Sequence, residues 1–186
     1  MKIVGLAGWS GAGKTTLLVE IIELLAVRGL RVSTIKHADH EFDVDMPGKD
    51  SHRHRTAGAS EVLVASSRRW ALVHELRTER EPGLRELLQH LSPVDLVIVE
   101  GFKREAHPKV EVHRTANDKP YLFPTLTDVR GLVTDGPRPP GWSGPIANLN
   151  EPAEVADLLL RSAASLSEVL ARPIRGDLAS LSSESG

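Results

Sequence analysis

The chain has 186 residues, 40% of them hydrophobic and 26% charged, with a formal net charge of −2. That length suits one domain with a core of useful size. The near-neutral balance gives no global basic surface for nucleic acid, and the lack of cysteine excludes disulfides and thiolate metal sites and fits a reducing cytoplasm. No signal peptide is expected, because Lys2 leads straight into a strand. No membrane span is expected either, because Glu20 and Glu23 break the apolar run.

Lys2 to Ala7 reads as a short buried strand. Gly8-Trp9-Ser10-Gly11-Ala12-Gly13-Lys14-Thr15 follows and matches G-x-x-x-x-G-K-[ST], the P-loop pattern. The spacing of Leu17, Leu18, Ile21, Ile22, Leu24 and Leu25 predicts a helix over 16–28, stopped by Gly29. A strand, a glycine-rich turn and a helix are the context in which this motif binds phosphate. The glycines allow close backbone approach, and the loop and first helical turn aim N–H groups at the anion. Gly11, Ala12, Gly13, Lys14, Thr15 and Thr16 are the expected nucleotide-binding residues. Lys14 supplies a cation for the β- and γ-phosphates, and Thr15 a hydroxyl for Mg²⁺.

A second strand is expected at 31–36, which makes a β–α–β opening and a parallel sheet. Residues 37–55 form a polar stretch holding His37, His40, His52, His54, Asp39, Asp43, Asp45 and Asp50. It follows the carboxyl end of a strand, where ligands gather, so a functional loop is preferred to an idle one. These residues match no compact zinc spacing. A short helix is expected to end within 56–59. Residues 61–65 and 70–74 read as a hairpin joined by Ser66 to Arg69. Leu84, Leu87, Leu88 and Leu91 give a short helical stripe closed by Pro93.

Val94 to Gly101 is a buried strand with Asp95 at one end and Glu100 at the other, roughly 16 Å apart if extended. A P-loop site needs an acidic group for Mg²⁺ at the carboxyl end of a neighbouring strand. That selects Glu100 as metal ligand and leaves Asp95 as a turn or cap residue. Gly101 is expected to let the backbone pass close to the phosphates. Further strands are expected at 109–113, 130–134 and 145–149, with a Pro-rich loop at 137–140. Asn150 is expected to cap one final helix carrying Val155, Leu158, Leu159, Leu166, Val169 and Leu170. The chain from 173 to 186 reads as a flexible tail, which leaves 1–172 as the nucleotide-binding domain. Asp128-Val129-Arg130-Gly131 matches a short GTPase string but follows the wrong strand, and no N-K-x-D string occurs. Asp135, at a late strand end, is the candidate for reading a base.

The P-loop, Thr34-Ile35-Lys36-His37, the stretch from Phe42 to Ala59, and Asp95 to Lys103 together resemble the MobB family of molybdopterin-guanine dinucleotide biosynthesis adapter proteins. The resemblance spans about 1–172; within it, Asp39 stands where many relatives carry a histidine. It implies an α/β P-loop NTPase fold, a three-layer sandwich with a mostly parallel sheet and an inserted antiparallel hairpin. It further implies a cytoplasmic homodimer that binds GTP with Mg²⁺, has weak GTPase activity at most, and partners the guanylyltransferase that joins GMP to molybdopterin. Molybdopterin itself is a further candidate ligand. The 37–55 loop would lie near nucleotide and partner, and the 61–74 hairpin is a candidate dimerising edge. For hydrolysis, Lys14, Thr15 and Mg²⁺ would stabilise the phosphates, with Asp43, Asp45 and Asp50 as candidates for orienting water. The alternative is a small-molecule kinase using ATP, with Arg53, Arg55, Arg68 and Arg69 cast as lid residues.

Overall fold

The computed structural model describes residues 1–38, 42, 43 and 45–172. In chain order the elements are β1 (Lys2–Ala7), α1 (Lys14–Val27), β2 (Val32–Lys36), α2 (Asp50–Thr56), β3 (Glu61–Ala65), β4 (Trp70–His74), α3 (Leu84–Gln89), β5 (Leu96–Glu100), β6 (Lys109–His113), β7 (Val129–Thr134), β8 (Ile146–Asn148), α4 (Pro152–Ser162), β9 (Ala164–Ser165) and α5 (Leu166–Ala171). They divide into two compact units: Met1–His37 with the chain from Leu84 onward, and Ala38–Gly83.

Among the described residues, the larger unit is built on a seven-stranded sheet ordered β2-β5-β1-β6-β7-β8, with β9 paired to β1. β1 runs parallel to both neighbours, with Val4 opposite Ile98 on β5 and Leu6 opposite Val110 on β6. Strands buried on both faces read as continuous apolar runs, as β1 and β5 do. Their alternate residues feed two cores. Val4, Leu6, Leu96 and Ile98 pack with Leu17, Ile21 and Leu25 of α1 and Leu158 and Leu159 of α4. Ile3, Val97 and Val99 pack with Leu84 and Leu88 of α3 and Val169 of α5. Helices therefore cover both faces, and the carboxyl ends of β1, β2 and β5 open at one edge of the sheet.

The expected single final helix is two helices. The apolar stripe continues across Ala163, but the chain there turns extended and Ala164 pairs with Ile3. Ser165 then starts α5: its hydroxyl accepts the Glu168 N–H while Glu168 accepts the Ser165 N–H. This capping box was legible as S-x-x-E. Asn150 is not the cap of α4. Glu151 holds that position, and the Asn150 N–H is taken by Asn148 Oδ1 at 3.0 Å. α1 begins at Lys14 rather than Thr16, because Gly13 itself caps it. The tail expected at 173–186 lies outside the described residues.

In the smaller unit, β3 and β4 pair antiparallel, with Glu61 opposite His74 and Ala65 opposite Trp70. The turn is closed by Ser66, whose hydroxyl accepts the N–H groups of Arg68 and Arg69. Residues 50–55 of the expected loop, together with Thr56, form α2, fastened by Arg55. Its guanidinium donates to Asp43, Asp45 and Glu75, with Nη1 2.6 Å from Glu75 Oε1.

Candidate functional site

β1 delivers the chain into the P-loop at the edge where the parallel strands end. Gly13 adopts φ 86°, a left-handed conformation that a side chain would strain. It caps α1 without any side-chain hydrogen bond, and the first turn of α1 contains no acid. The first N–H groups of the helix are thus left for an anion, with the positive end of its dipole behind them. Ala12 is fully buried and holds the loop down, while Gly11, Thr15 and Thr16 are exposed. Lys14 Nζ donates to the Gly8 and Trp9 carbonyls at 3.0 and 2.9 Å, folded along the loop it would serve.

Glu100 ends β5 beside this loop. Thr15 Oγ1 donates to Glu100 Oε1 at 3.5 Å, and Lys36 Nζ, from the end of β2, lies 3.7 Å from Glu100 Oε2. A hydroxyl and a carboxylate at that separation are hard oxygen donors of the kind Mg²⁺ takes together with phosphate oxygens and water. Asp95 lies at the opposite end of the strand, where it accepts the Arg31 N–H at 2.8 Å. The close approach at Gly101 is made by the neighbouring chain rather than by open space. A Cβ there would sit 2.6 Å from the Cβ of His37, whose N–H bonds to the Glu100 carbonyl.

One part of the site escapes sequence reasoning. β6 is buried on both faces although it alternates polar and apolar residues. Its polar side is satisfied by the chain around it. Lys109 Nζ donates to the Glu105 and His107 carbonyls. The Glu111 carboxylate accepts the N–H groups of Leu122 and Phe123, although burial pushes its pKa up. His113 bonds the Lys119 carbonyl and stacks on Tyr121. These bonds lay residues 114–123 along the P-loop. Asn117 Nδ2 donates to the Ser10 carbonyl at 2.9 Å, Trp9 Nε1 donates to the Pro120 carbonyl at 2.8 Å, and Lys103 stands over the Trp9 ring. A Cβ on Gly13 would lie 3.0 Å from Arg114 Nη2. The available signal was the polar alternation of Lys109-Val110-Glu111-Val112-His113 in a chain position that must be central. Asp135 follows β7, and its Oδ1 accepts both the N–H and the hydroxyl of Thr115. Those bonds, with help from Arg114, hold its carboxyl below the usual range.

The remaining candidates lie in the smaller unit. Asp43 and Asp45 are ligated by Arg55, and Asp50 lies 3.8 Å from Arg53. Arg55 is therefore committed to carboxylates. His52 and His54 sit on α2, whereas Asp39 and His40 lie outside the described residues. Among the described residues no group of three or more His, Cys, Asp or Glu could hold a metal ion.

Comparison with known proteins places these observations. The family model for Molybdopterin guanine dinucleotide synthesis protein B matches residues 3–135. The chain is 47% identical over 140 residues to the molybdopterin-guanine dinucleotide biosynthesis adapter protein of Escherichia coli, covering 74% of this chain and 80% of that one. It is 46% identical over 122 residues to the Haemophilus influenzae protein of the same name, covering 64% and 67%. The crystal structure of Bacillus subtilis MobB superposes with a TM-score of 0.67 at 26% identity, covering 89% of this chain and 99% of that one. The mostly parallel sheet and the separate antiparallel pair of this chain match the fold of the MobB structure.

Proposed function

The chain belongs to the MobB family, and from that premise we propose that it is a GTP-binding adapter in molybdopterin-guanine dinucleotide biosynthesis. It assists the guanylyltransferase that attaches GMP to molybdopterin, as a cytoplasmic homodimer. The observation that carries the nucleotide part is the pairing of Thr15 with Glu100 at the mouth of the P-loop. That pair, with Lys14 one residue away, is the donor set a Mg²⁺–nucleoside triphosphate needs.

The loop N–H groups from Gly11 to Thr16 hold the phosphates. Lys14 leaves the loop carbonyls and spreads positive charge over the β- and γ-oxygens. Thr15 Oγ1 and Glu100 would hold Mg²⁺, which supplies charge neutralisation between those phosphates. Lys36 Nζ, 3.7 Å from Glu100 Oε2, holds that carboxylate in place. Asp135 reads the base through Oδ2, since Oδ1 is engaged by Thr115. Hydrolysis is weak at most, which fits Asp43 and Asp45 being spent on Arg55 rather than on water. The same engagement removes Arg55 from the kinase lid and disfavours that reading. Leu63, Val64, Trp70 and Leu72 are exposed on the β3–β4 hairpin and support it as the dimerising element.

The test is capture of the purified guanylyltransferase of the same pathway by this protein, with GTP, with GDP and without nucleotide. Binding that responds to GTP supports the adapter. Transfer of the γ-phosphate to an acceptor, without such binding, would replace it with the kinase.

A further inference from the structure

Arg114 occupies a position that neither the P-loop motif nor the fold explains. It directly follows β6, and its guanidinium lies along the loop at Gly13: Nη2, Nε and Cζ are 3.0, 3.6 and 3.7 Å from where a Cβ on that glycine would sit. This sets a fixed positive charge beside the positive end of α1, an unfavourable juxtaposition by itself. Nothing in α1 offsets it, because the first turn carries no acid. Among the described residues Arg114 forms no ion pair, and Asp135, which feels its charge, has its Oδ1 taken by Thr115. The residue is held there by its backbone, whose carbonyl accepts the Asn117 N–H, while Asn117 is itself tied to Ser10. A cation pinned against a cluster of N–H donors is stabilised when an anion enters between them.

We propose that Arg114 is a nucleotide-contacting residue that meets the α/β-phosphate region rather than the γ-phosphate. The assignment rests on the nucleotide-binding reading above. Its level in the site follows from Gly13. The backbone of a P-loop cradles the α- and β-phosphates, while its lysine reaches on to β and γ, and Arg114 lies against the backbone on the side of Asp135. A planar guanidinium gives charge-assisted hydrogen bonds to phosphate oxygens.

The test is calorimetric titration of the wild type, Arg114→Gln and Arg114→Lys with GTP and with GDP, each with Mg²⁺, alongside thermal melting of each variant. Arg114→Gln is expected to weaken GTP and GDP by the same factor, about tenfold or more. Arg114→Lys is expected to keep most of the affinity, with the melting temperature unchanged in both. Unchanged affinity in Arg114→Gln overturns the assignment, as does a loss confined to GTP. So does a loss that the lysine variant shares in full together with a lowered melting temperature, which would mark a structural role. If the wild type binds neither nucleotide, the underlying reading falls and this assignment falls with it.

Discussion

The two units of this chain are held together by different physics. In the larger one, strands β1 and β5 are buried on both faces, and side chains such as Ile98 and Leu158 are wholly inaccessible. Its candidate site groups, Lys14, Thr15 and Glu100, stand at the ends of elements that apolar packing fixes. In the smaller one the centre is a guanidinium. Arg55 gathers Asp43, Asp45 and Glu75, while His74 bridges Glu61 and Glu79. Its hairpin leaves Leu63 62% and Trp70 66% exposed. Non-directional burial suits a scaffold that holds the glycine-rich loop still. A charge network instead specifies a local shape with little core, and its strength depends on pH.

That contrast can be broken first in the scaffold. Ile98→Ala removes a fully buried side chain from the core cluster that also holds residues of α1 and α4. It should cost about 2–5 kcal/mol of unfolding free energy in denaturant titration. A loss below about 1 kcal/mol would mean that the sheet core is not what holds this unit.

The charge network offers the next test. Arg55→Met should lower the hydrogen-exchange protection of the Ala57, Gly58 and Ala59 amides, which close α2, by tenfold or more. Amides of β5 should keep theirs. Unchanged protection around α2 would remove Arg55 from its place at the centre. The wild-type network should also show a pH window. Asp43 and Asp45 are held below the ordinary carboxylate value of 3.8, chiefly by hydrogen bonds from the Asp45 N–H and from Ser51 respectively. Their stabilisation is present above that value and lost as pH falls through the depressed one. His74 is raised above 6.5, chiefly by Glu61. Its contribution is complete below 6.5 and lost as pH rises through the raised value. Protection factors in this unit should therefore be highest between those limits, and a flat profile would contradict the network.

The smallest effect is expected at the hairpin surface. Leu63→Ser should change the stability of the monomeric chain by no more than about 0.5 kcal/mol, because the side chain has little burial to lose. If the hairpin is the dimer contact, the same variant should shift the sedimentation profile toward monomer. A large loss of monomer stability would show that Leu63 belongs to a core.

How much of this was legible in the sequence follows the same division. The strand, loop and helix around Lys14 were readable because motif, periodicity and stop signal agree locally. The position of Glu100, at the carboxyl end of β5 and beside Thr15, was readable from strand direction. The contacts of residues 114–123 were not, because Asn117 and Pro120 meet Ser10 and Trp9 across more than a hundred residues of chain. A polar stretch carries no periodicity that announces such a partner. The strand at 109–113 was legible, but its burial was not: Lys109, Glu111 and His113 are each buried against carbonyls or N–H groups supplied from elsewhere. The single final helix was expected because the apolar stripe runs on from Leu159 to Leu166. The pairing of Ala164 with Ile3, a tertiary contact, overrode it.

Guanine-nucleotide binding at the P-loop is tested most directly by calorimetric titration of the wild type and Lys14→Ala with GTP and, separately, ATP, each with Mg²⁺. The wild type is expected to bind GTP selectively, and Lys14→Ala to lose that binding by about a hundredfold or more with an unchanged melting temperature, since Lys14 is there for phosphate and not for the core. Equal affinity in the two proteins, or a preference for ATP, would contradict that assignment.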